Sequence, residues 1–188
     1  MQLMILGSNS KGKKIFTSKL QGRETVWDHL SRVCVGEWEY RPNLMKRSFQ
    51  FRVWVFRNPE DYSATHWSFL SQRSLYLLLF DLKRGSEGVH QLKDWLDSTA
   101  CQAPYSAMMI IGTHQEEVPH QTVDHLLQQA KKLFASYDNK LEAVGMLPVD
   151  LVKYPGNMPY LQDTIYNYAI NYPFLQRGTS VYVINYLE

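Results

Sequence analysis

The sequence predicts an α/β fold of three layers, a mostly parallel sheet with helices on both faces. Three observations predict it. Short apolar runs recur at 3–6, 49–56, 75–80 and 108–111, and segments of helical periodicity follow them. The runs Leu75–Phe80 and Met108–Ile111 are apolar at every position, as in strands covered on both faces. Strands alternating with helices rather than following one another imply parallel pairing through crossovers.

Element by element, Leu3–Leu6 is a short buried strand stopped by Gly7, and 13–21 is a helix with Phe16 and Leu20 one turn apart before Gly22. Phe49–Phe56 alternates at first and then turns apolar, a strand that starts at a sheet edge and runs inward. Val89, Leu92, Trp95 and Leu96 share a helical face, as do Val123, Leu126, Leu127, Ala130, Leu133 and Phe134. Leu161, Ile165 and Tyr168 form the stripe of a helix over 160–170, and Val144–Val152 supplies another strand despite Gly145 and Pro148. Val181–Leu187 alternates like a strand after a polar break at 176–179.

Composition narrows the function classes. A chain of 188 residues holds one substantial core, and 45% hydrophobic residues exclude extensive disorder. Twenty basic residues against 18 acidic ones give +2 without a basic block, so nothing supports a nucleic-acid partner. Two cysteines, Cys34 and Cys101, form neither a disulfide framework nor a spaced zinc motif. The apolar start ends at Gly7, too short for a signal or a transmembrane segment, so a cytoplasmic setting is expected.

The strand, Gly7-Ser8-Asn9-Ser10-Lys11-Gly12-Lys13, and the helix after it are the context of a phosphate-binding P-loop. The glycines let backbone N–H groups turn toward phosphate oxygens, Lys13 reaches the β- and γ-phosphates, and the helix N-terminus adds its dipole. The next position should carry a hydroxyl for Mg²⁺; it is Lys14. An ordinary glycine-bearing strand-to-helix turn is the plain alternative. Other candidates are weaker. His114, His120 and His125 lack the i, i+4 spacing of a helical metal pair, and no GxSxG elbow occurs, so neither catalytic nor metal-ligating residues are assigned. Trp38, Trp54, Trp67 and Trp95 are core or interface anchors. Tyr154, Tyr160, Tyr166, Tyr168 and Tyr172 belong to a partner surface or to an internally packed helix face.

The stretch Phe51–Phe56, then Tyr62-Ser63-Ala64-Thr65-His66, Phe69, Gln72–Leu77, Phe80-Asp81-Leu82, Gly85, Trp95-Leu96 and Ile110–His114 resembles the Roc domain. That is the Ras-like GTPase module of Roco proteins, most similar here to that of leucine-rich-repeat kinases. The resemblance implies a P-loop NTPase fold over 1–174, with 175–188 a linker and the start of a COR-like segment. It implies GTP or GDP bound by Gly7 to Lys14 and by Thr113, His114 and Glu116. It also implies a homodimer, and a linked kinase with leucine-rich repeats.

The departures from the family pattern concern the metal and the base. Where the family carries Trp-Asp-hydrophobic-x-Gly, this chain has Trp54-Val55-Phe56-Arg57-Asn58, followed by Pro59, which cannot orient an attacking water. The switch threonine matches Cys34 of Cys34-Val35-Gly36, and a thiol is a poor Mg²⁺ ligand. Lys14 either points to solvent or stands in for the ion. The base-reading Thr-His-x-Asp is Thr113-His114-Gln115-Glu116, whose longer acid overshoots, and Glu116-Glu117 read equally as two solvated acids. The loop whose N–H contacts guanine O6 falls near Asp150-Leu151. Three functions are therefore expected, in this order: a regulatory and dimerisation module with weak nucleotide binding and weak or absent hydrolysis, an active switch with an unusual metal shell, and a nucleotide-free interaction module.

Overall fold

The structure, a computed structural model, describes residues 1–24, 33–42, 48–56, 70–153 and 156–172. Six strands form one sheet: β1 (Gln2–Leu6), β2 (Val33–Tyr40), β3 (Phe49–Phe56), β4 (Ser74–Asp81), β5 (Ser106–Thr113) and β6 (Leu141–Val149), in the spatial order β2-β3-β1-β4-β5-β6. Every pairing is parallel except β2 with β3. The helices are α1 (Ser10–Gln21), α2 (Ser86–His90), α3 (Leu92–Gln102), α4 (His120–Ala135) and α5 (Met158–Asn171).

Two apolar layers sandwich the sheet. On one face Phe16 and Leu20 of α1 and Leu161, Ile165 and Ala169 of α5 pack on Leu3, Ile5, Leu75, Leu77 and Met109. On the other, Trp95 and Leu96 of α3 and Val123, Leu126 and Ala130 of α4 pack on Met4, Leu6, Tyr76, Leu78 and Ile110. Successive side chains of β1 and β4 thus enter opposite layers, which is why the runs Leu3–Leu6 and Leu75–Phe80 are apolar at every position. The α/β fold expected from the sequence is the one observed.

Several boundaries differ from expectation. Helix α1 begins at Ser10 rather than residue 13, because Asn9 caps it. The 86–102 region is two helices, α2 and α3, broken at Gln91. Strand β6 covers Leu141–Val149 rather than 144–152; Val144 bulges opposite Met108/Met109, which absorbs the irregularity. Strand β3 does not start at an edge, since β2 lies outside it. The β2 strand itself was not expected: its pattern is broken by Gly36 and by the two glutamates flanking Trp38. Of the tyrosines, Tyr166 and Tyr172 are buried, Tyr172 donating to the Gln72 carbonyl at 3.0 Å, while Tyr160 is exposed. Tyr154, Trp67, residues 57–69 and 173–188 lie outside the described residues. No helix among the described residues is long and apolar enough to cross a membrane.

Candidate functional site

Strand order reverses direction about β1, and the carboxyl ends of β1, β4, β5 and β6 meet at one edge of the sheet. That crevice is where open α/β sheets bind ligands. The segments 7–13, 81–82, 113–117 and 150–151 converge there, so the sheet brings together the two motifs that lie a hundred residues apart in sequence.

The turn after β1 begins at Gly7, whose φ of 134° and whose closeness to Leu79 both exclude a side chain: a Cβ there would lie 2.4 Å from the Leu79 carbonyl oxygen. Asn9 then caps α1, its side-chain oxygen accepting from the Gly12 N–H at 3.0 Å while its carbonyl accepts from the Lys13 N–H at 3.0 Å. Ser8 donates to Gln91 at 2.6 Å, and the Asn9 amide donates to Asp81 at 3.4 Å. Ser10, Lys11 and Gly12 are therefore helix, and the Gly12 N–H serves a cap within the chain.

Lys13 is folded inward. It is 1% exposed, its ammonium donates to the Gly7 carbonyl, and it lies 6.0 Å from the centre of the Trp95 ring. Burial pushes its pKa down to about 7, since the charged form loses hydration. Its neighbour Lys14 is exposed at the surface of α1, the solvent-facing alternative. Val55 is 2% exposed within the layer formed by Leu3, Ile5 and Phe16. Cys34 stands on β2 directly across from Val55 and packs against that layer. The three positions expected around Mg²⁺ thus offer an ammonium, an aliphatic side chain and a thiol. A hard cation that demands oxygen does not fit that donor set.

At the other half of the crevice Thr113 is buried and its hydroxyl donates to the Phe80 carbonyl at 3.0 Å, tying β5 to β4. His114 adopts a left-handed backbone (φ 63°, ψ 39°) that turns the chain into a 3-10 turn over Gln115–Glu117. Glu116 is not a solvated loop acid: its Oε2 accepts from the Leu151 N–H at 3.1 Å. Glu117 pairs with Lys83 at 2.7 Å, which holds its carboxyl below the usual range and the ammonium above it. Asp150 accepts from the N–H groups of Val152 and Lys153, closing the 150–153 turn. All eleven expected site residues, Gly7 to Lys14 with Thr113, His114 and Glu116, lie at this edge, with Lys14 turned outward. Sequence reading missed Asp81 and Gln91 as partners, and it placed the Asp150-Leu151 loop here without its N–H contact to Glu116; the polar Asp81 closing an apolar strand is the one signal that pointed to the first two.

A family model described as "Ras of Complex, Roc, domain of DAPkinase" matches residues 2–116. The chain is 31% identical over 128 residues to leucine-rich repeat serine/threonine-protein kinase 1 of Caenorhabditis elegans, covering 63% of this chain and 5% of that protein. It is 23% identical over 167 residues to the probable serine/threonine-protein kinase pats1 of Dictyostelium discoideum, covering 78% and 5%. The chain therefore spans a small fraction of these relatives' length. Among solved structures, that of Methanosarcina barkeri Roco2 RocCORdC bound to GDP superposes with a TM-score of 0.65 at 19% identity, covering 89% of this chain and 48% of that one.

Proposed function

We propose that this chain, which belongs to the Roc domain family, is a regulatory Roc module that binds guanine nucleotide weakly and does not hydrolyse GTP by the Mg²⁺-assisted route. The observation that carries this is the state of the turn after β1. Its helix starts at Ser10, Asn9 takes the Gly12 N–H, and Lys13 is buried against the Gly7 carbonyl. A phosphate has to displace the Asn9 cap and draw out the Lys13 ammonium, and both costs subtract from affinity. The metal positions support the same reading, since Lys14, Val55 and Cys34 offer no oxygen.

The residues that would hold a nucleotide are Gly7, Ser8, Asn9, Ser10, Lys11, Gly12, Lys13 and Lys14 at the phosphates and Thr113, His114 and Glu116 at the base. Without a metal shell, the module's work lies in contacts: a COR-like segment from 175 onward, a second copy of the chain, and a kinase linked in the same polypeptide, in the cytoplasm. The GDP held by the archaeal Roco neighbour and the kinase names of the relatives support this placement.

Single-turnover GTP hydrolysis with Mg²⁺, compared between the wild type and Lys13→Ala, tests the reading. Equal rates are expected; a wild-type rate tenfold above the variant sinks it and favours an active switch. Thermal melting with GTP, GDP and ATP separates weak binding from none, because a ligand that binds only the folded state raises its melting point. A rise of a few degrees confined to millimolar GTP and GDP is expected.

A further inference from the structure

We propose that His114, Glu116 and Glu117 form a binding site for a Zn²⁺-class divalent ion at the carboxyl end of β5. The reading does not depend on nucleotide. Among the described residues these three side chains form a group able to hold a metal, with one ligand atom from each lying within 4.8 Å of the others. His114 Nδ1 is 3.6 Å from Glu116 Oε1 and 3.6 Å from Glu117 Oε1.

Those distances are too long for hydrogen bonds. An imidazolium facing two carboxylates would draw them to about 2.7–2.9 Å. A neutral imidazole protonated on Nδ1 would likewise draw a carboxylate into hydrogen-bond range, and one protonated on Nε2 would leave the Nδ1 lone pair facing negative charge; Nδ1 is indeed buried without a hydrogen-bond partner. A separation of 3.6 Å instead matches an edge of a ligand tetrahedron: bonds of about 2.0–2.2 Å from nitrogen and oxygen to Zn²⁺ put the ligand atoms about 3.3–3.6 Å apart. The carboxylate-to-carboxylate edge must shorten, and Glu117, whose side chain is 45% exposed, has the freedom to move.

The ligands are also oriented from behind. Each carboxylate presents Oε1 to the histidine and has its other oxygen engaged: Glu116 Oε2 by the Leu151 N–H at 3.1 Å, Glu117 Oε2 by the Lys83 ammonium at 2.7 Å. Outer partners of this kind fix ligand geometry in metal sites. The left-handed backbone at His114 places the ring over its own following turn, so three ligands come from four consecutive residues. One nitrogen and two carboxylate oxygens suit Zn²⁺ better than Mg²⁺, and leave a fourth position to water.

Calorimetric titration of the nucleotide-free chain with Zn²⁺, and visible absorption with Co²⁺, test this. One ion per chain and an intense tetrahedral Co²⁺ band are expected. His114→Asn keeps a residue that tolerates the left-handed backbone but removes the imidazole. Glu116→Gln with Glu117→Gln keeps an acceptor for the Leu151 N–H and removes both charges. Each should weaken Zn²⁺ binding at least tenfold, whereas His120→Asn and His125→Asn leave it unchanged. Absence of saturable Zn²⁺ binding in the wild type, a weak octahedral Co²⁺ spectrum, or loss of binding only with His120 and His125 overturns the proposal. If His114→Asn melts early, the glutamine pair decides alone: unaltered affinity overturns the site.

Discussion

Lys13 carries the conflict in this molecule. The P-loop pattern would have its ammonium reach a phosphate, yet the folded chain buries it against Gly7 and Trp95. Because the folded-state pKa is lowered to about 7 from 10.5, the unfolded chain holds more protons between those values. Stability therefore rises with pH from about 7 toward 10.5, and below about 7 both states are protonated and the slope vanishes. Each unit of displacement is worth about 1.4 kcal/mol, so the full span is a few kcal/mol. Lys13→Met removes the charge and keeps the apolar stem. Urea unfolding at pH 7 should show it about 1 kcal/mol more stable than the wild type, after the lost Gly7 hydrogen bond is subtracted. Its stability should also vary less between pH 7 and 10, although the Met1 amine, lowered by burial and by Arg52, leaves a smaller slope of the same sign. An unchanged pH profile would show that Lys13 remains charged and solvated. The motif GxxxxGK was plain in the sequence; the inward rotamer was not, because it depends on Trp95 arriving from α3.

Helix α1 is the element whose boundary decides the state of the site. A helix from residue 13 leaves 8–12 as a loop that can wrap an anion; a helix from Ser10 uses those residues to satisfy itself. Asn9 is the residue responsible, as its side chain accepts from Gly12 and donates to Asp81. Asn9→Ala should cost about 1 kcal/mol of stability, the usual loss of an N-cap. It should also strengthen binding of GDP in the thermal-shift assay by freeing the Gly12 N–H. Asn9→Asp keeps the cap but sets a carboxylate against Asp81, so it should be less stable than the wild type at pH 7 and recover on acidification. A destabilised Asn9→Ala with unaltered GDP response would disconnect the cap from the ligand site. Periodicity placed the middle of this helix correctly, but a cap is a side-chain event of one residue and leaves no periodic trace.

For the whole molecule, the three-layer sheet turns a site departure into a core residue. Val55 faces the α1–α5 layer, 2% exposed, where the family pattern has an acid. Restoring the family residues by Lys14→Ser, Val55→Asp and Asn58→Gly therefore has a structural consequence. Val55→Asp alone should lower stability by about 3 kcal/mol or more, because it buries a carboxylate without a partner. Chemical denaturation at pH 7 checks this, and stability should recover partly at low pH as the carboxyl is protonated. A neutral Val55→Asp would mean that this position faces the ligand crevice rather than the core.

The sequence by itself determined the alternation of strands and helices, the apolar faces and the family pattern, because these are written in nearest-neighbour periodicity and in residue identity. Leu75–Phe80 is apolar at six consecutive positions, which at this length is the pattern of a strand covered on both faces. Only the tertiary structure decided that Lys13 turns inward, that Glu116 bonds Leu151 from thirty-five residues away, and that His114 faces two carboxylates without touching them. Those outcomes depend on distances between strand ends that the sheet order sets, and no local pattern along the chain encodes them.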